Sequence, residues 1–258
     1  MKTFPIAFAL MFCASPAFAQ VSAPPSLDGY SYQPSVGDAP PEVEIVEDHR
    51  RTGSVWVLRG GAFSGAGRAA ERCDGDGCPE SLETTQYRES SSYALSADWL
   101  VNSSRNFRIG AGFGFIPELS VEKSGERFEL GSVASTDLVL EGVVDLSKKT
   151  AFTFRGRVGM SLLFPSGDLK DEGAALSEAC ASYEVDYAGT CETDRGPYFG
   201  AQAGAGPGLL VNLGRLGLRV DFEVQAYTFR TLETQVDGAE AAVQFSGVRP
   251  MLLAGIEL

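Results

Sequence analysis

Charged side chains alternate with apolar or small ones along several segments of the sequence. Arg155 and Arg157 lie two residues apart in the segment 152–164, and Asp221 and Glu223 repeat this spacing further along. Successive side chains of a β-strand point to opposite faces, so residues two apart share a face. In a closed sheet, such residues would meet and could form ion pairs, line an ion pathway or supply carboxylates for catalysis.

The same alternation assigns six arginines and seven carboxylates to one face of the predicted sheet. They are Arg59, Arg108, Arg155, Arg157, Arg219, Arg249, Asp98, Asp137, Glu141, Asp145, Asp221, Glu223 and Glu257. Side chains just fill the interior of a barrel of about eight strands, so we expect a salt-bridged plug. The alternative is a narrow channel for small ions or solutes that this Arg/carboxylate network gates.

Other catalytic chemistry finds little support in the sequence. The one histidine, His49, lies in a proline-rich acidic segment, so a two-histidine metal site is excluded and a Ser–His pair would need that segment to reach the strands. The glycine repeats 110–114 and 204–208 have a spacing of two and no following helix, unlike a phosphate-binding loop. We expect no enzymatic activity, no cofactor and no metal, although the many carboxylates leave a carboxylate-only enzyme open.

Four of the five cysteines fall in two predicted loops, and the fifth, Cys13, lies in the N-terminal apolar segment. Four cysteines allow three pairings. Pairing within each loop needs no reach across the barrel mouth, so we expect the disulfides Cys73–Cys78 and Cys180–Cys191. The first loop also contains Asp74 and Asp76, but it lacks the third acid and the distal glutamate of a calcium loop.

Eight segments alternate with a period of two and predict eight strands. They cover roughly 54–63, 89–101, 107–115, 131–146, 152–164, 197–212, 216–224 and 244–258. The connections 102–106, 147–150 and 212–215 are short, whereas 64–88, 117–130, 165–196 and 230–243 are long. Such a pattern predicts an all-β fold, an eight-stranded antiparallel up-and-down transmembrane β-barrel over 53–258, with short turns in the periplasm and long loops outside.

Alternation alone also fits a soluble lipocalin-like barrel with its faces reversed. No lysine occurs in the eight segments, and the polar face combines glycine with charged residues, as a crowded lumen would. Aromatic residues lie beside the short turns (Trp99, Phe107, Phe152) and beside the long loops (Phe63, Phe115, Phe164, Phe199, Phe229). Two aromatic girdles favour a membrane barrel, and a soluble secreted barrel is the alternative.

The N-terminal region has the features of an export signal. Lys2 precedes the apolar stretch 4–18, and Ala17-Phe18-Ala19 is a small-residue cleavage site, so we predict a signal peptide over 1–19. Residues 20–52 are proline-rich and acidic and predict a disordered periplasmic linker. The formal net charge of −13 excludes a nucleic-acid-binding surface.

Together these features resemble those of bacterial outer-membrane small β-barrels of the OmpA/OmpX/OmpW kind. The resemblance covers about 54–258 and rests on the signal peptide, the eight alternating strands, the short turns against long loops, and a strand that reaches Leu258. That family usually ends in an aromatic residue, where this chain has Leu258. The resemblance implies an integral protein of the cell outer membrane, with outer-membrane lipid and lipopolysaccharide as partners.

Because the barrel itself is generic, we expect specificity to lie in the loops 64–88 and 165–196, which would contact an extracellular ligand. The second loop carries eight acids against Lys170 and Arg195, so it would repel anionic surfaces unless divalent cations bridged it to lipopolysaccharide. The expected role is therefore non-enzymatic, in envelope structure or surface interaction. The alternatives are the channel and a lipid-modifying barrel enzyme.

Overall fold

The computed structural model describes residues 53–258 except 76–77, 79–82, 105 and 188, and the side chains of Ser91 and Tyr187 are not described. The predicted signal peptide 1–19 and linker 20–52, with Cys13 and His49, lie outside the described residues.

Nine strands and one helix make up the described part of the chain. They are β1 (Ser54–Asp74), β2 (Thr84–Ser104), β3 (Phe107–Lys123), β4 (Glu126–Asp145), β5 (Thr150–Pro165), α1 (Gly167–Tyr187), β6 (Cys191–Thr193), β7 (Tyr198–Asn212), β8 (Gly217–Val236) and β9 (Ala239–Glu257). All strands pair antiparallel, and β9 pairs with both β8 and β1, which closes the sheet. The predicted eight-stranded up-and-down barrel is confirmed, with β6 as a short addition beside β8.

Three of the four predicted long loops are wrong in their extent, because the strands continue through them. β1 and β2 cover most of 64–88, while β3 and β4 leave only the turn Ser124–Gly125 in 117–130. Asp237–Gly238 likewise joins β8 to β9. Both turns have two successive positive φ angles, as tight hairpin turns require. Beyond the band of apolar side chains on the outside of the barrel, both faces of a hairpin contact water. The alternation of apolar and polar residues that reveals a strand therefore disappears there.

The fourth predicted loop, 165–196, contains α1 and β6. Leu169, Gly173 and Cys180 are the buried positions of α1, a sparse stripe that sequence periodicity does not detect. Cys180 is bonded to Cys191, the first residue of β6, which pairs with Val236 of β8. The helix is therefore fastened to the sheet by a disulfide and a few buried residues. Among the described helices, none is long and apolar enough to cross a membrane.

The exterior of the barrel is apolar. Phe113, Val158, Met160 and Leu252 are between 56% and 60% exposed on the outward face, while the charged side chains point inward. Such an arrangement inverts that of a water-soluble barrel and is that of a β-barrel whose outer face contacts lipid.

The aromatic residues only partly follow the predicted girdles. Trp56 and Trp99 lie directly opposite each other on β1 and β2, both exposed near the short-turn end. At the other end Phe115, Phe164 and Phe199 are exposed. Phe63 and Phe229, however, are buried in the lumen, so their assignment to the outer girdle was wrong. Both lie near the predicted long loops along the chain, but each is at an inward position of its strand.

Candidate functional site

The barrel interior holds the candidate charged residues. Twelve of the thirteen are at most 8% exposed, and the exception is Asp145, which is exposed at the rim where β4 ends. Eleven of these twelve, five arginines and six carboxylates, form a network near the short-turn end, and the twelfth, Arg249, pairs further up the barrel with a carboxylate outside the candidate set. Each arginine of this network occupies an inward position of its strand. Neighbouring strands therefore bring these charges together in the lumen.

Asp98 is the first hub of this network. Its Oδ2 accepts hydrogen bonds from Arg59 Nη2 at 2.8 Å and from Arg155 Nη1, and its Oδ1 accepts one from Arg157 Nη2 at 2.9 Å. Arg59 also donates to Asp221 at 3.1 Å and to Glu223. Since these residues belong to β1, β2, β5 and β8, their ion pairs connect walls of the barrel that do not share backbone hydrogen bonds.

Glu141 is the second hub. Its Oε2 accepts hydrogen bonds from Arg155 Nη2 and Arg219 Nη2, both at 2.7 Å, and its Oε1 accepts one from Arg108 Nη1 at 3.1 Å. Arg108 also donates to Glu257 Oε2 at 2.9 Å. This hub joins β3, β4, β5, β8 and β9, so the two hubs together brace most of the circumference.

Two further sets of contacts complete the network. The guanidinium of Arg219 binds both carboxylate oxygens of Asp221, through Nε to Oδ2 at 2.8 Å and Nη2 to Oδ1 at 2.9 Å. Arg157 Nη1 lies 3.6 Å from Asp137 Oδ2, and Asp137 Oδ1 accepts a 2.7 Å hydrogen bond from Gln202. The carboxylates in this part of the lumen are thus held by fixed donors, as ion-pair anchors are.

Inward glycines provide the room that these side chains need. A Cβ on Gly208 would lie 1.9 Å from Asp221 Oδ1, and a Cβ on Gly112 would lie 2.5 Å from Asp98 Oδ1. The predicted alternation of glycine with charge therefore has a steric cause at these two positions.

Glu89 is a lumenal residue that the sequence analysis missed. It accepts a 2.9 Å hydrogen bond from Arg249, whose guanidinium also lies over the ring of Tyr227 at 4.0 Å. Phe63 and Gly65 on β1 are separated by one residue, whereas their partners on β2, Ser92 and Glu89, are separated by two. β2 therefore has an extra residue there. Such a bulge reverses the alternation of inward and outward side chains. Counting every second residue from the inward Asp98 therefore assigns Glu89 to the outer face, although it lies in the lumen. A single sequence carries no clear signal for the bulge.

At the end of the barrel opposite the short turns, the β1–β2, β3–β4 and β8–β9 hairpins extend beyond the barrel. We call this the hairpin end. An apolar layer fills the lumen between the charged network and the hairpin end. It comprises Phe63, Ile116, Leu119, Leu130, Val133, Leu163, Leu169, Tyr198, Phe229, Phe245, Met251 and Leu253. Leu169, from α1, is fully buried among these residues. Helix α1 thus contributes directly to closing this end of the barrel.

The wall of the barrel is interrupted between β2 and β3. Leu95 pairs with Phe115 and Glu89 pairs with Val121, but the five residues between them on each strand form no ladder pairs with the other strand. Ser92 Oγ donates to the carbonyl oxygen of Glu118 across this interval, at 2.8 Å. Beside it lies a cavity of about 30 Å³, bounded by residues of the apolar layer and the charged network, which is large enough for a water molecule.

The part of the chain at the hairpin end is held by two disulfides. Cys73 is bonded to Cys78 and Cys180 to Cys191, the pairing predicted from the sequence. Asp237, in the β8–β9 turn, accepts hydrogen bonds from the Tyr183 hydroxyl at 2.6 Å and the Thr190 amide at 2.8 Å. The hydrogen bond from Tyr183, and next that from Thr190, lowers the pKa of the Asp237 carboxyl. Within the described residues, no group of three or more His, Cys, Asp or Glu could hold a metal ion.

Comparison with known proteins gives likenesses of fold at low sequence identity. No protein-family model matches the sequence, and no curated protein is significantly similar to it. OprG, an outer-membrane protein of Pseudomonas aeruginosa, is 11% identical over 81% of this chain and 97% of its own, with a TM-score of 0.43.

Two other solved structures are similar at comparable coverage. Neisserial surface protein A is 9% identical over 78% of this chain and 97% of its own, with a TM-score of 0.34. The outer membrane protease OmpT of Escherichia coli is 7% identical over 80% of this chain and 96% of its own, with a TM-score of 0.33. The assignment of this chain as a membrane β-barrel accordingly rests on its own strand pairing and on its apolar exterior.

Proposed function

We propose that this chain is an integral outer-membrane β-barrel with a closed lumen, which acts without enzymatic activity through the hairpins and helix at its hairpin end. The observation that carries the proposal is that two successive layers of side chains fill the lumen. An ion-pair network and an apolar layer lie in series along the axis, so the barrel serves as a rigid support for the part of the chain outside the membrane.

The filled lumen weighs against the channel. Asp98 and Glu141 are fully buried, and each contacts three arginines, so an ion passing along the axis would have to break several ion pairs at once. Leu130 and Leu163 of the apolar layer are also fully buried. An ion in that layer would lose its hydration among mainly apolar side chains, where the buried charges of Arg249 and Glu89 are already paired with each other.

The elaboration of the hairpin end supports a surface role. Three hairpins continue past the apolar band, and the β8–β9 hairpin carries β6 and contacts α1. Both disulfides lie in this part of the chain, where cross-links restrict segments that proteases could otherwise attack. Binding sites commonly lie on such connecting segments, which a rigid scaffold positions.

The test compares the mature chain, residues 20–258, with a variant in which a short Gly/Ser linker replaces 167–196. Both are refolded in detergent, examined for the gel shift that boiling causes in folded barrels, and inserted into planar bilayers. We expect both proteins to show the shift and the mature chain to show no discrete conductance. Salt-dependent openings of the mature chain would overturn the closed lumen, and loss of the shift in the variant would show that the segment serves folding instead of surface interaction.

A further inference from the structure

Three arginines at the hairpin end of the barrel differ from the other arginines of the sheet. Arg68 and Arg72 on β1 and Arg88 on β2 are exposed, and among the described residues no carboxylate lies within 4.0 Å of them. Arg127 and Arg230, by contrast, pair with Glu118 and Glu240. We refer to Arg68, Arg72 and Arg88 as the arginine cluster.

The register places this cluster at the edge of the apolar band. Arg88 is directly opposite Ala66, which is directly opposite Val248, so the three share one outward row. Val248 is an exposed apolar residue on the outer face of β9. Arg88 therefore stands where the outward row changes from apolar residues on β9 and β1 to charged residues on β2 and β3, as at the level where a membrane barrel meets lipid head groups.

The second row is basic without acidic neighbours. Arg68 lies directly opposite Gln86 on β2 and Ser246 on β9, both uncharged. Arg72, two rows further from the membrane, donates from Nε to Gln244 Oε1 at 3.0 Å. Since Arg68 is opposite Gln86, it is diagonal to Arg88, within reach of a long side chain. Two guanidinium groups of like charge thus stand on adjacent strands. Glu122 of β3 lies directly opposite Arg88, but among the described residues no carboxylate oxygen lies within 4.0 Å of either arginine.

A polar groove of about 700 Å³ adjoins the cluster. Gln86, Arg88, Lys123 and Ser124 contribute to its lining, with Glu122 as its one carboxylate among the described residues. Lys123 Nζ donates to Thr85 Oγ1 at 3.2 Å, which holds this second cation at the groove.

We propose that the arginine cluster and this groove bind the phosphorylated sugar head group of an anionic glycolipid in the outer leaflet of the membrane. Guanidinium groups match phosphate oxygens with paired donors. The acyl chains would lie along the apolar face below, where Tyr93 and Leu252 share the outward row of Ala62 and are exposed. This inference rests on the proposed function, because it requires the barrel to stand in a membrane with such lipids.

The arginine cluster differs from the acidic surface of α1 in how it would meet such a lipid. Helix α1 carries Asp168, Asp171, Glu172, Glu178, Glu184 and Asp186 against one cation, Lys170, so it could approach phosphates only through divalent cations. Arginines bind phosphate directly. Binding by the cluster is therefore expected to persist when divalent cations are removed.

The experiment measures retention of lipid A bisphosphate by the mature chain refolded in detergent with EDTA, using native mass spectrometry. The test variant is Arg68→Gln with Arg88→Gln, and the matched control is Arg195→Gln with Arg215→Gln. The control arginines also have no described carboxylate within 4.0 Å, and they lie outside the cluster. We expect the test variant to lose retention at least about tenfold, the control to match the parent chain, and dephosphorylated lipid A to bind weakly to all three.

Equal retention by the test and control variants would overturn the inference, as would a requirement for divalent cations. Displacement of lipid A by millimolar inorganic phosphate would assign the site to free phosphate and would also overturn it. The gel shift on boiling is recorded for every sample. A protein that shows the shift but binds no lipid A contradicts this inference alone, whereas absence of the shift in the parent chain contradicts the proposed function.

Discussion

Arg157 on β5 donates a 2.9 Å hydrogen bond to Asp98 on β2, across the lumen between strands that are not neighbours in the barrel. Asp98 is fully buried and also contacts Arg59 and Arg155. Backbone hydrogen bonds join each strand only to its neighbours, so this ion pair supplies a connection that the sheet lacks. The charged network is accordingly a brace across the barrel as well as a filling.

Loss of the Asp98 charge should destabilise the barrel strongly. Asp98→Asn keeps the shape of the side chain but leaves three buried arginines short of a negative charge. Removing one partner of a buried ion pair costs about 3–5 kcal/mol. The urea midpoint of the refolded protein should fall, as followed by the gel shift on boiling. Asp171→Asn, at an exposed position of α1, removes the same charge and should leave the midpoint unchanged.

Gly208 should tolerate no side chain. Gly208→Ala would place a Cβ 1.9 Å from Asp221 Oδ1 and 2.5 Å from Thr153 Oγ1, so the Arg219–Asp221 pair would have to move. Overpacking of this kind costs about 1–3 kcal/mol. Gly156→Ala is the matched control, because its Cβ would meet nothing within 4 Å. Equal urea midpoints for the two variants would contradict the steric account of the inward glycines.

The barrel and most of its lumenal residues could be predicted from the sequence, because the residues that face lipid are apolar and many of those that face the lumen are charged or small. Phe113 and Gly112 illustrate this contrast: the first is exposed to the lipid side, and the second leaves room for Asp98. Where the strands pass beyond the apolar outer band this contrast ends, so alternation does not distinguish the hairpin turns at Ser124 and Asp237 from parts of long loops. The Asp237-Gly238 dipeptide was the available signal for a hairpin.

Other features depended on information that alternation does not contain. The bulge in β2 reversed the parity of Glu89, and nothing in the residues around Ser90 shows the extra position. Helix α1 was missed because its buried face consists of Leu169, Gly173 and Cys180, only one of which is strongly apolar. Both errors arise from tertiary contacts: pairing with β1 for the bulge, and packing against the mouth of the barrel for the helix.

The interrupted ladder between β2 and β3 should be visible in hydrogen exchange. Residues 90–94 and 116–120 form no ladder pairs with each other, so amides that face the interval lack a partner in the neighbouring strand. We expect these segments to exchange faster than 95–101 and 109–115, which pair regularly. Exchange measured by mass spectrometry in detergent tests this directly, and uniform protection along both strands would contradict it.

The disulfide Cys180–Cys191 should protect the helix instead of the barrel. It links α1 to β6, whereas the barrel strands close by their own hydrogen bonds. In the Cys180→Ala, Cys191→Ala variant we expect limited proteolysis to cut within 167–196 earlier, while the gel shift on boiling persists. The matched control is Cys73→Ala, Cys78→Ala, which removes the other disulfide. Equal cleavage rates in this segment for the two variants would contradict the assignment.

Acid should release the contact between α1 and the β8–β9 turn. Hydrogen bonds from Tyr183 and Thr190 lower the pKa of Asp237 below its ordinary value of 3.8, so the folded form favours the carboxylate. The stabilisation is complete above the ordinary pKa and is lost as the pH falls through the lowered value, because the protonated carboxyl is a poorer acceptor. Tyr183→Phe removes the first donor and should raise the pKa of Asp237 toward 3.8. Carboxyl chemical shifts against pH measure both values, and an unchanged pKa in the variant would mean that the Tyr183 hydroxyl does not stabilise the charge.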